Sequence, residues 1–376
     1  MKYCSRCLQP DTRPNTQFTD EGICPACDYF VRLKHVDWEE RAEILTDLLK
    51  GYSRKPGQRF DCILGVSGGK DSTRQALWAR DRLGLNPLLA CLSYPPEQVT
   101  QRGVDNISNL IELGFDVVIS APAPGVWQRM MHAAFLRFTN WARSTELALF
   151  ASVPQLAIAY DIPLILWGEN PGLQLGDLRT LGRTGYDGNN LRFMNTLSGG
   201  ANDWMFEDGA VRRELIPYDY PSIEQFEAHQ LQIVYLGWFL GDWSLIENGM
   251  YAATWGLHIR DDGVENTGDL AGVSSLDEDW VTLNQMIKYY KFGFGRVTDY
   301  ANEEIRVGRM TREKGIELVE AYDDACSPDY IASFCDYIGV SVDFFHDHVR
   351  KSVNRDLFTV HDDGRIERKF RVGVGL

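Results

Sequence analysis

Short apolar runs alternate with longer segments of helical periodicity over the first half of the chain. The apolar runs, in chain order, are FDCILGV, PLLACLSY, FDVVIS and IPLILWG. The segments DSTRQALWARDRLG, VTQRGVDNISNLIELG and residues 127–159 lie between them and have the spacing of amphipathic or buried helices. Strands that alternate with helices are typical of a parallel sheet with crossover helices. The pattern therefore predicts an α/β fold.

The sequence on either side of this pattern differs from it. Residues 1–30 lack periodicity and are rich in Cys, Pro, Asp and Thr, and residues 31–58 combine one amphipathic helix with the polar linker SRKPGQR. Beyond about residue 220 the sequence becomes helical and aromatic, with a second glycine-rich stretch, YYKFGFGR. We expect an α/β domain at 59–220 and a mainly helical C-terminal region at 221–376 that completes the active site.

Four cysteines crowd the first unit in the spacing C-x2-C-x16-C-x2-C. Each C-x-x-C pair lets two sulfurs reach one metal ion from a tight turn, and a segment this short needs such a ligand to fold. Two disulfides would suit a secreted protein, and the usual iron–sulfur spacings differ. The pattern predicts a zinc ribbon whose ion has a structural role, with the ligands Cys4, Cys7, Cys24 and Cys27.

The segment SGGKDS joins the first predicted strand to the following helix. Gly68 and Gly69 carry no β-carbon, so backbone N–H groups can approach phosphate oxygens at a helix N-terminus. Lys70 supplies a cation, and Asp71 an oxygen ligand for magnesium. The loop is neither a Walker A sequence nor G-x-G-x-x-G, and a polar Gly-Gly turn is the alternative. The predicted phosphate-binding residues are Ser67, Gly68, Gly69, Lys70, Asp71 and Ser72.

Composition narrows the function classes. The formal net charge is −15, from 38 Lys and Arg against 53 Asp and Glu, which disfavours nucleic acid as a partner. No window approaches the length of a transmembrane helix, and the start of the sequence has no signal-peptide pattern. We therefore expect a cytoplasmic protein without a membrane partner.

SGGKDS resembles the pyrophosphate-binding loop of the PP-loop ATP pyrophosphatases. Over almost the whole chain, the segments MKYCSRC, CPAC, SGGKDS, WGEN and YKFGFGRVTDYANEEIRVGRMTREKGIELV resemble the N-acetyl sugar amidotransferases of bacterial surface-polysaccharide and O-antigen synthesis. The resemblance implies a PP-loop, HUP-like fold that uses ATP and Mg²⁺. It also implies adenylation of the N-acetyl carbonyl of a UDP-linked diacetamido uronic acid. Ammonia then replaces the oxygen to form an acetamidino group, with release of AMP and pyrophosphate.

Two further pairs of residues are candidates for this chemistry. Glu169 and Asn170 follow the strand ILWG, where a parallel sheet places ligand groups, and could orient the acceptor, ammonia or magnesium. A helix N-cap by Asn170 is the alternative. Lys291 and Arg296 resemble the family's downstream basic segment and are candidates for a cation near the α-phosphate. Their alternative is an ordinary surface position.

The source of ammonia and the sugar contacts are less well marked. Position 2 is Lys2, no G-x-C-x-G elbow occurs, and Cys62 lies inside a predicted strand, so we expect no glutaminase activity in this chain. The resemblance implies a separate glutaminase partner, for which a HisF-like barrel protein is a candidate companion. Three arginines in the loop after ILWG, Arg179, Arg183 and Arg192, either pair with sugar-nucleotide anions or are solvated.

Two other functions are compatible with these motifs. A PP-loop tRNA thiolase combines a zinc ribbon with the same loop, but it would need a basic RNA-binding face and usually extra cysteines near the loop. A zinc-ribbon scaffold that has lost catalysis would not need Ser67, Lys70, Asp71 and Ser72 intact. ATP consumption separates the scaffold from the enzymes, and the acceptor separates the enzymes from each other.

Overall fold

A parallel β-sheet forms the centre of the protein. The computed structural model describes residues 1–52, 57–169, 184–190 and 201–376. Within them the sheet has the order β3-β2-β1-β4-β5, with every neighbouring pair parallel. Its strands are β1 (Cys62–Gly65), β2 (Pro87–Leu92), β3 (Asp116–Ser120), β4 (Leu164–Trp167) and β5 (Gln232–Tyr235). The predicted α/β class with a parallel sheet is confirmed.

Helices cover both faces of this sheet and make up most of the C-terminal region. The longer ones are α1 (Pro25–Leu33), α2 (Trp38–Gly51), α3 (Lys70–Asp81), α4 (Gln101–Glu112), α5 (Pro124–Phe138), α6 (Ala142–Ala159), α7 (Leu245–Ala253), α8 (Val281–Phe292), α9 (Arg296–Arg306), α10 (Arg312–Tyr322), α11 (Pro328–Ile338) and α12 (Val342–Lys351). Shorter helices span Asp203–Glu207, Arg212–Leu215, Ile216–Tyr218, Ile223–Ala228, Leu236–Phe239 and Val264–Thr267. A two-stranded antiparallel hairpin follows, with β6 (Phe358–Val360) and β7 (Ile366–Arg368). Among the described helices, none has the length and apolar character needed to cross a membrane.

Alternation along the strands divides the core into two layers. Ile63 of β1 packs into the layer that contains α5 and α6, and the next residue, Leu64, packs into the layer with α3 and α4. Both residues are fully buried. Inner strands of a parallel sheet are buried on both faces, so β1, β2 and β4 read as continuous apolar runs that the sequence pattern identified.

The sheet extends past residue 220, where the sequence analysis ended the α/β domain. β5 pairs with β4 in parallel, with Ile165 opposite Ile233, although the sequence pattern indicated a helical region there. A four-residue apolar run such as QIVY has no periodicity that distinguishes a strand from a helical turn. The predicted long helix at 127–159 is also divided, because Thr139 ends α5 in the left-handed conformation at φ 43°.

The N-terminal cysteine unit packs against the C-terminal region. The Leu8 N–H donates to Asn302 Oδ1 in α9 at 2.7 Å, and Arg13 forms an ion pair with Asp299 of the same helix. Arg312 of α10 donates to the carbonyl oxygens of Cys7 and Cys4 at 3.3 and 3.4 Å. Residues at opposite ends of the sequence therefore form one continuous structure.

The packing of α4 against the segment around Asp277 can be tested at Gly103. A β-carbon on Gly103 of α4 would lie 2.6 Å from Asp277 Cα, so Gly103→Ala must push α4 away from the segment that lines the site described below. We expect a loss of about 1–3 kcal/mol in the free energy of unfolding, measured by urea titration.

Gly125→Ala is the matched control, because Gly125 is also helical and has no atom within 4 Å of its added β-carbon. That variant should be neutral or slightly more stable than the original chain. Equal stability of the two variants would contradict the close packing of α4.

Candidate functional site

A crevice opens between β1 and β4, where the strand order changes direction. The chain runs from β1 outward to β3 on one side and from β4 to β5 on the other, which makes this a topological switch point, the usual ligand site of open parallel sheets. A cavity of about 210 Å³ occupies the crevice. Its lining includes Gly65, Ser67, Lys70, Asp71, Glu169 and Ser275.

The SGGKDS turn is built from a left-handed glycine and an open helix N-terminus. Gly68 has φ +76°, and a β-carbon there would lie 2.8 Å from Asn106 Cβ, so only glycine fits without displacement. Gly69 precedes α3 as its N-cap and supplies no side-chain cap for the first-turn N–H groups. These groups point along the helix axis toward the crevice, which is the arrangement that binds phosphate.

Lys70 and Asp71 form an ion pair at the start of α3. Lys70 Nζ lies 2.7 Å from Asp71 Oδ2, and the Lys70 side chain is only 12% exposed. Burial lowers the pKa of Lys70, but the negative charges of Asp71 and of Glu303 outweigh it and raise that pKa above its usual value. Lys70 is therefore a cation held inside the crevice.

Glu169 follows β4 and places a second carboxylate in the same cavity. Its Oε2 atom is buried and has no hydrogen-bond partner among the described residues. Burial, followed by the negative charge of Asp71, raises the pKa of Glu169 to about 8. Two partly buried carboxylates of one cavity repel each other, and one of them has an oxygen without a partner among the described residues. Such a pair fits a divalent cation, since magnesium prefers oxygen ligands.

Arg296 lies just behind the wall of the crevice. It is the first residue of α9 and is 9% exposed; Nη1 lies 3.4 Å from the Thr267 carbonyl oxygen, and Nη2 lies 3.4 Å from Ser275 Oγ. Ser275 itself lines the cavity. Burial lowers the pKa of the Arg296 guanidinium from its usual value. The predicted contact of Arg296 with a ligand stays a prediction, with Ser275 between the two.

Lys291 lies outside the crevice, at the C-terminal end of α5. Its Nζ donates to the carbonyl oxygens of Phe138 and Thr139 at 2.6 and 3.0 Å, at the C-terminal end of α5, and burial lowers its pKa to about 8. A cation at this end of a helix satisfies carbonyls that lack intrahelical partners. Lys291 does not line the crevice in this structure, so its predicted catalytic role has no geometric support here.

The second glycine-rich stretch is closed by the protein itself. Gly293 ends α8 with φ +76°, and the Asp323 carboxylate accepts hydrogen bonds from the N–H groups of Gly295 and Thr298 at 2.8 Å each. The N–H groups of Gly295 and Thr298, at the start of α9, are therefore already bonded to a carboxylate of the protein. Asn170, Arg179, Arg183 and Arg192 lie outside the described residues.

Two polar residues that the sequence analysis missed act on the loop. Asn248 of α7 is fully buried and donates from Nδ2 to Asp71 Oδ1 at 2.6 Å. Glu303 of α9 accepts a hydrogen bond from the Leu245 N–H at the start of α7, and burial raises its pKa. The sequence signal for Asn248 is a polar residue on a largely apolar helix face, whereas Glu303 lies among other polar residues of α9 and has no such signal.

A second cavity of about 280 Å³ adjoins the crevice. Ser67 and Leu92 line both cavities. The second one lies between the ends of β2 and β3 and one face of α4, and most of its lining is apolar. Its apolar residues include Leu92, Val99, Val104, Ile107, Ile111 and Ile119. A flat apolar group attached to a phosphate chain in the crevice fits such a neighbouring cavity.

The four N-terminal cysteines form a metal site. Their Sγ atoms all lie within 4.8 Å of one another, and all four residues are buried. Cys7 Sγ and Cys24 Sγ are 3.7 Å apart, too far for a disulfide. A tetrahedral ion with metal–sulfur bonds of about 2.3 Å requires sulfur–sulfur distances close to 3.8 Å. Backbone N–H groups also point at Cys4 Sγ, from Arg6 at 3.4 Å and from Cys24 at 3.2 Å.

Comparison with known proteins found a family similarity in the C-terminal region. Residues 274–371 match the family described as LPS biosynthesis protein WbpG-like, C-terminal domain. No curated protein matches the chain. Among solved structures, the U34-tRNA thiolase NcsA from Methanococcus maripaludis with its [4Fe-4S] cluster aligns at 12% identity and a TM-score of 0.29. That alignment covers 90% of this chain and 95% of the thiolase, and with this TM-score it does not extend to a shared activity.

The cysteine site predicts one tightly held metal ion per chain. Cys27→Ser removes one of four sulfur ligands, so the purified variant should lose most of its metal, measured by inductively coupled plasma mass spectrometry. Cys335→Ser, at a buried cysteine outside the cluster, should keep it. Full metal content in Cys27→Ser, or none in the unsubstituted protein, would contradict the site.

The raised pKa of Glu169 predicts a pH-dependent stability. The folded protein holds a proton on Glu169 up to about pH 8, whereas the unfolded chain releases it near 4.5, so stability from this group falls as pH rises between these values. Glu169→Gln removes that loss. In magnesium-free buffer the variant should gain about 2 kcal/mol or more over the original chain between pH 5 and pH 8, measured by urea unfolding.

Glu43→Gln, at an exposed glutamate of α2, is the control and should show no such trend. A pH-independent difference between Glu169→Gln and the original chain would show that Glu169 ionises normally.

Proposed function

We propose that the chain is an ATP-dependent amidotransferase that acts on an N-acetyl sugar in lipopolysaccharide O-antigen biosynthesis. The observation that carries the ATP-dependent part is the preformed SGGKDS turn at the switch point, with Lys70 and Asp71 inside the crevice. The match of residues 274–371 to the WbpG-like C-terminal domain supports the polysaccharide part. ATP and the sugar nucleotide are cytoplasmic substrates, so we place the reaction in the cytoplasm.

The two adjoining cavities fit the two halves of ATP. The N–H groups at the start of α3 and the Lys70 ammonium would hold the phosphates, and the apolar cavity beside Ser67 would hold the adenine. Asp71 and Glu169 are the carboxylates that would hold magnesium. A bound magnesium ion neutralises charge on the phosphates and makes pyrophosphate a better leaving group.

The chemistry needs positioned cations more than it needs a covalent nucleophile. The N-acetyl oxygen attacks the α-phosphorus, the bond to pyrophosphate breaks, and an adenylated carbonyl results. Ammonia then adds to that carbon, and AMP leaves with the former amide oxygen, which gives an acetamidino group. Lys70 would stabilise the charge that develops on the phosphates, and Arg296 would do so through the Ser275 side of the crevice.

The acceptor and the ammonia source follow from the family resemblance. The proposed acceptor is a UDP-linked diacetamido uronic acid. The proposed ammonia source is a separate glutaminase, with a HisF-like barrel protein as a candidate companion. Burial raises the pKa of the thiols of Cys62, Cys91, Cys326 and Cys335, which opposes the formation of a thiolate nucleophile at these positions. This supports an external source of ammonia.

We propose zinc as the ion of the cysteine site. Four buried thiolates at tetrahedral spacing leave no open coordination position, so the ion stabilises the unit and takes no part in the reaction. The unit packs on α9, which also carries Glu303, so the ion supports the crevice at a distance.

The proposal predicts ammonium-dependent AMP formation. The purified chain is incubated with ATP, magnesium, an ammonium salt and UDP-2,3-diacetamido-2,3-dideoxy-mannuronate, and AMP release and sugar mass are measured. We expect AMP and a product in which NH has replaced O. Lys70→Ala should lower the rate by about 10²–10³-fold, because it removes a cation from the charged transition state.

Lys314→Ala, at an exposed lysine of α10, controls for a general loss of positive charge and should be fully active. AMP formation without a change in sugar mass would retain ATP activation and reject this acceptor. If AMP forms neither with ammonium nor with an added glutaminase and glutamine, the amidotransferase assignment is wrong.

A further inference from the structure

Asn248 connects the nucleotide loop to a helix of the C-terminal region. It lies in α7, which packs against α3, and its side chain is fully buried. Its Nδ2 atom donates to Asp71 Oδ1 at 2.6 Å, and its Oδ1 atom accepts from Arg74 Nη1 at 2.6 Å. The side chain therefore bridges two residues of α3 that stand one helical turn apart.

The chemistry of the neighbours fixes the orientation of this amide. Arginine has only donors, so the Asn248 oxygen must face Arg74 and the amide nitrogen must face Asp71. Arg74 is itself held in place, because Nη2 donates to Asp242 Oδ1 at 2.7 Å and Nη1 lies 3.2 Å from the Asp242 carbonyl oxygen. The donor that reaches Asp71 is thus supported by an ion pair behind it.

The hydrogen bond from Asn248 occupies only one of the two carboxylate oxygens of Asp71, so the other oxygen can face a cation. Oδ1 receives the Asn248 hydrogen bond, and Oδ2 is shared with Lys70 at 2.7 Å. A neutral amide holds the carboxylate in place and adds no positive charge that competes with a bound cation. An arginine at position 248 would add such a competing charge. A phosphate that drew Lys70 toward itself would free Oδ2, while Asn248 would still hold Oδ1.

The start of α7 is also fixed. Ser244 caps α7 by accepting from the Glu247 N–H at 3.2 Å, and the Leu245 N–H donates to Glu303 of α9. Asn248 lies one turn later, so its position relative to Asp71 depends on α9 rather than on a mobile side chain.

We propose that Asn248 is a positioning residue that orients the Asp71 carboxylate toward the divalent cation of the bound nucleotide, with Arg74 fixing the amide. This inference rests on the proposed ATP site. If the site prefers magnesium-bound to free nucleotide, this inference attributes the preference to the contact of Asn248 in α7 with Asp71 in α3.

The test measures the contribution of magnesium to nucleotide binding. The dissociation constant of α,β-methylene ATP, which is not split at the α–β bond, is measured by calorimetry on the full chain, in magnesium and in EDTA. We expect Asn248→Ala to weaken binding in magnesium by about 10- to 100-fold, as for other residues that orient metal ligands. Binding in EDTA should stay close to that of the original chain.

Asn202→Ala is the matched control. Asn202 is also buried and donates from Nδ2 to an aspartate oxygen, Asp219 Oδ1, at the same 2.6 Å, but neither residue lines the crevice. This variant should bind the nucleotide as the original chain does in both conditions. An equal loss of magnesium-dependent binding in Asn202→Ala would mean that any buried Asn–Asp pair has this effect, and would overturn the proposal.

A double-mutant cycle separates positioning from general destabilisation. In the Asp71→Asn background, Asn248→Ala should cause no further loss of magnesium-dependent binding, because the carboxylate that it orients is absent. A full additional loss would overturn the proposal, as would unchanged magnesium dependence in Asn248→Ala alone.

Arg74→Lys provides a second variant if Asn248→Ala does not fold. It keeps the positive charge but loses the planar pair of donors, so we expect a smaller loss of magnesium-dependent binding in the same direction. No loss in a folded Arg74→Lys protein would then overturn the proposal. Failure of the original chain to bind the nucleotide under either condition would reject the ATP site itself.

Discussion

Asp71 holds a partly buried carboxylate at the floor of the crevice, and several distant segments are arranged around it. Lys70 pairs with its carboxylate, Asn248 donates to it from α7, and Glu169 faces it from β4. Removing such charges from water is costly unless partners are fixed nearby. The complete crevice therefore needs residues from the end of β4 and from α7 and α9 as well as from α3. The α/β domain and the C-terminal region are interdependent for this reason, although their sequences differ in character.

Local sequence features predicted the parts of this structure that depend on local physics. Buried parallel strands read as apolar runs, Gly68 marks a left-handed position, and the spacing of Cys4 to Cys27 marks a metal site. The sheet class and the position of the loop between strand and helix were therefore predicted correctly. β5 was missed because four apolar residues carry no periodicity, and the break at Thr139 was missed because no glycine or proline marks it. Because β5 was missed, the sequence analysis ended the α/β domain at residue 220, before this strand of the sheet.

Side-chain contacts between distant segments were not predictable in this way. Lys291 and Arg296 occur in one short glycine-rich stretch, yet one lies at the end of α5 and the other behind Ser275. The two glycine-rich stretches each contain two glycines and a lysine, yet their N–H groups have different partners in the structure. One presents free N–H groups to the crevice, whereas the other is satisfied by Asp323, a residue about thirty positions later. A glycine-rich loop is open or closed according to its three-dimensional neighbours, and single-sequence reasoning has no access to them.

The hydrogen bond between Leu8 and Asn302 joins residues 294 positions apart, which has a consequence for synthesis. At about 5–20 residues per second, the ribosome needs roughly 15–60 s to make the surface on which the first unit packs. Short cysteine units fold when they bind their metal, without help from a larger core. The N-terminal unit can thus be complete on the nascent chain long before its binding surface on α9 exists. During that interval Leu8 would lack the C-terminal residues that bury it in the folded chain, and a metal ion bound by the four cysteines would hold the unit folded.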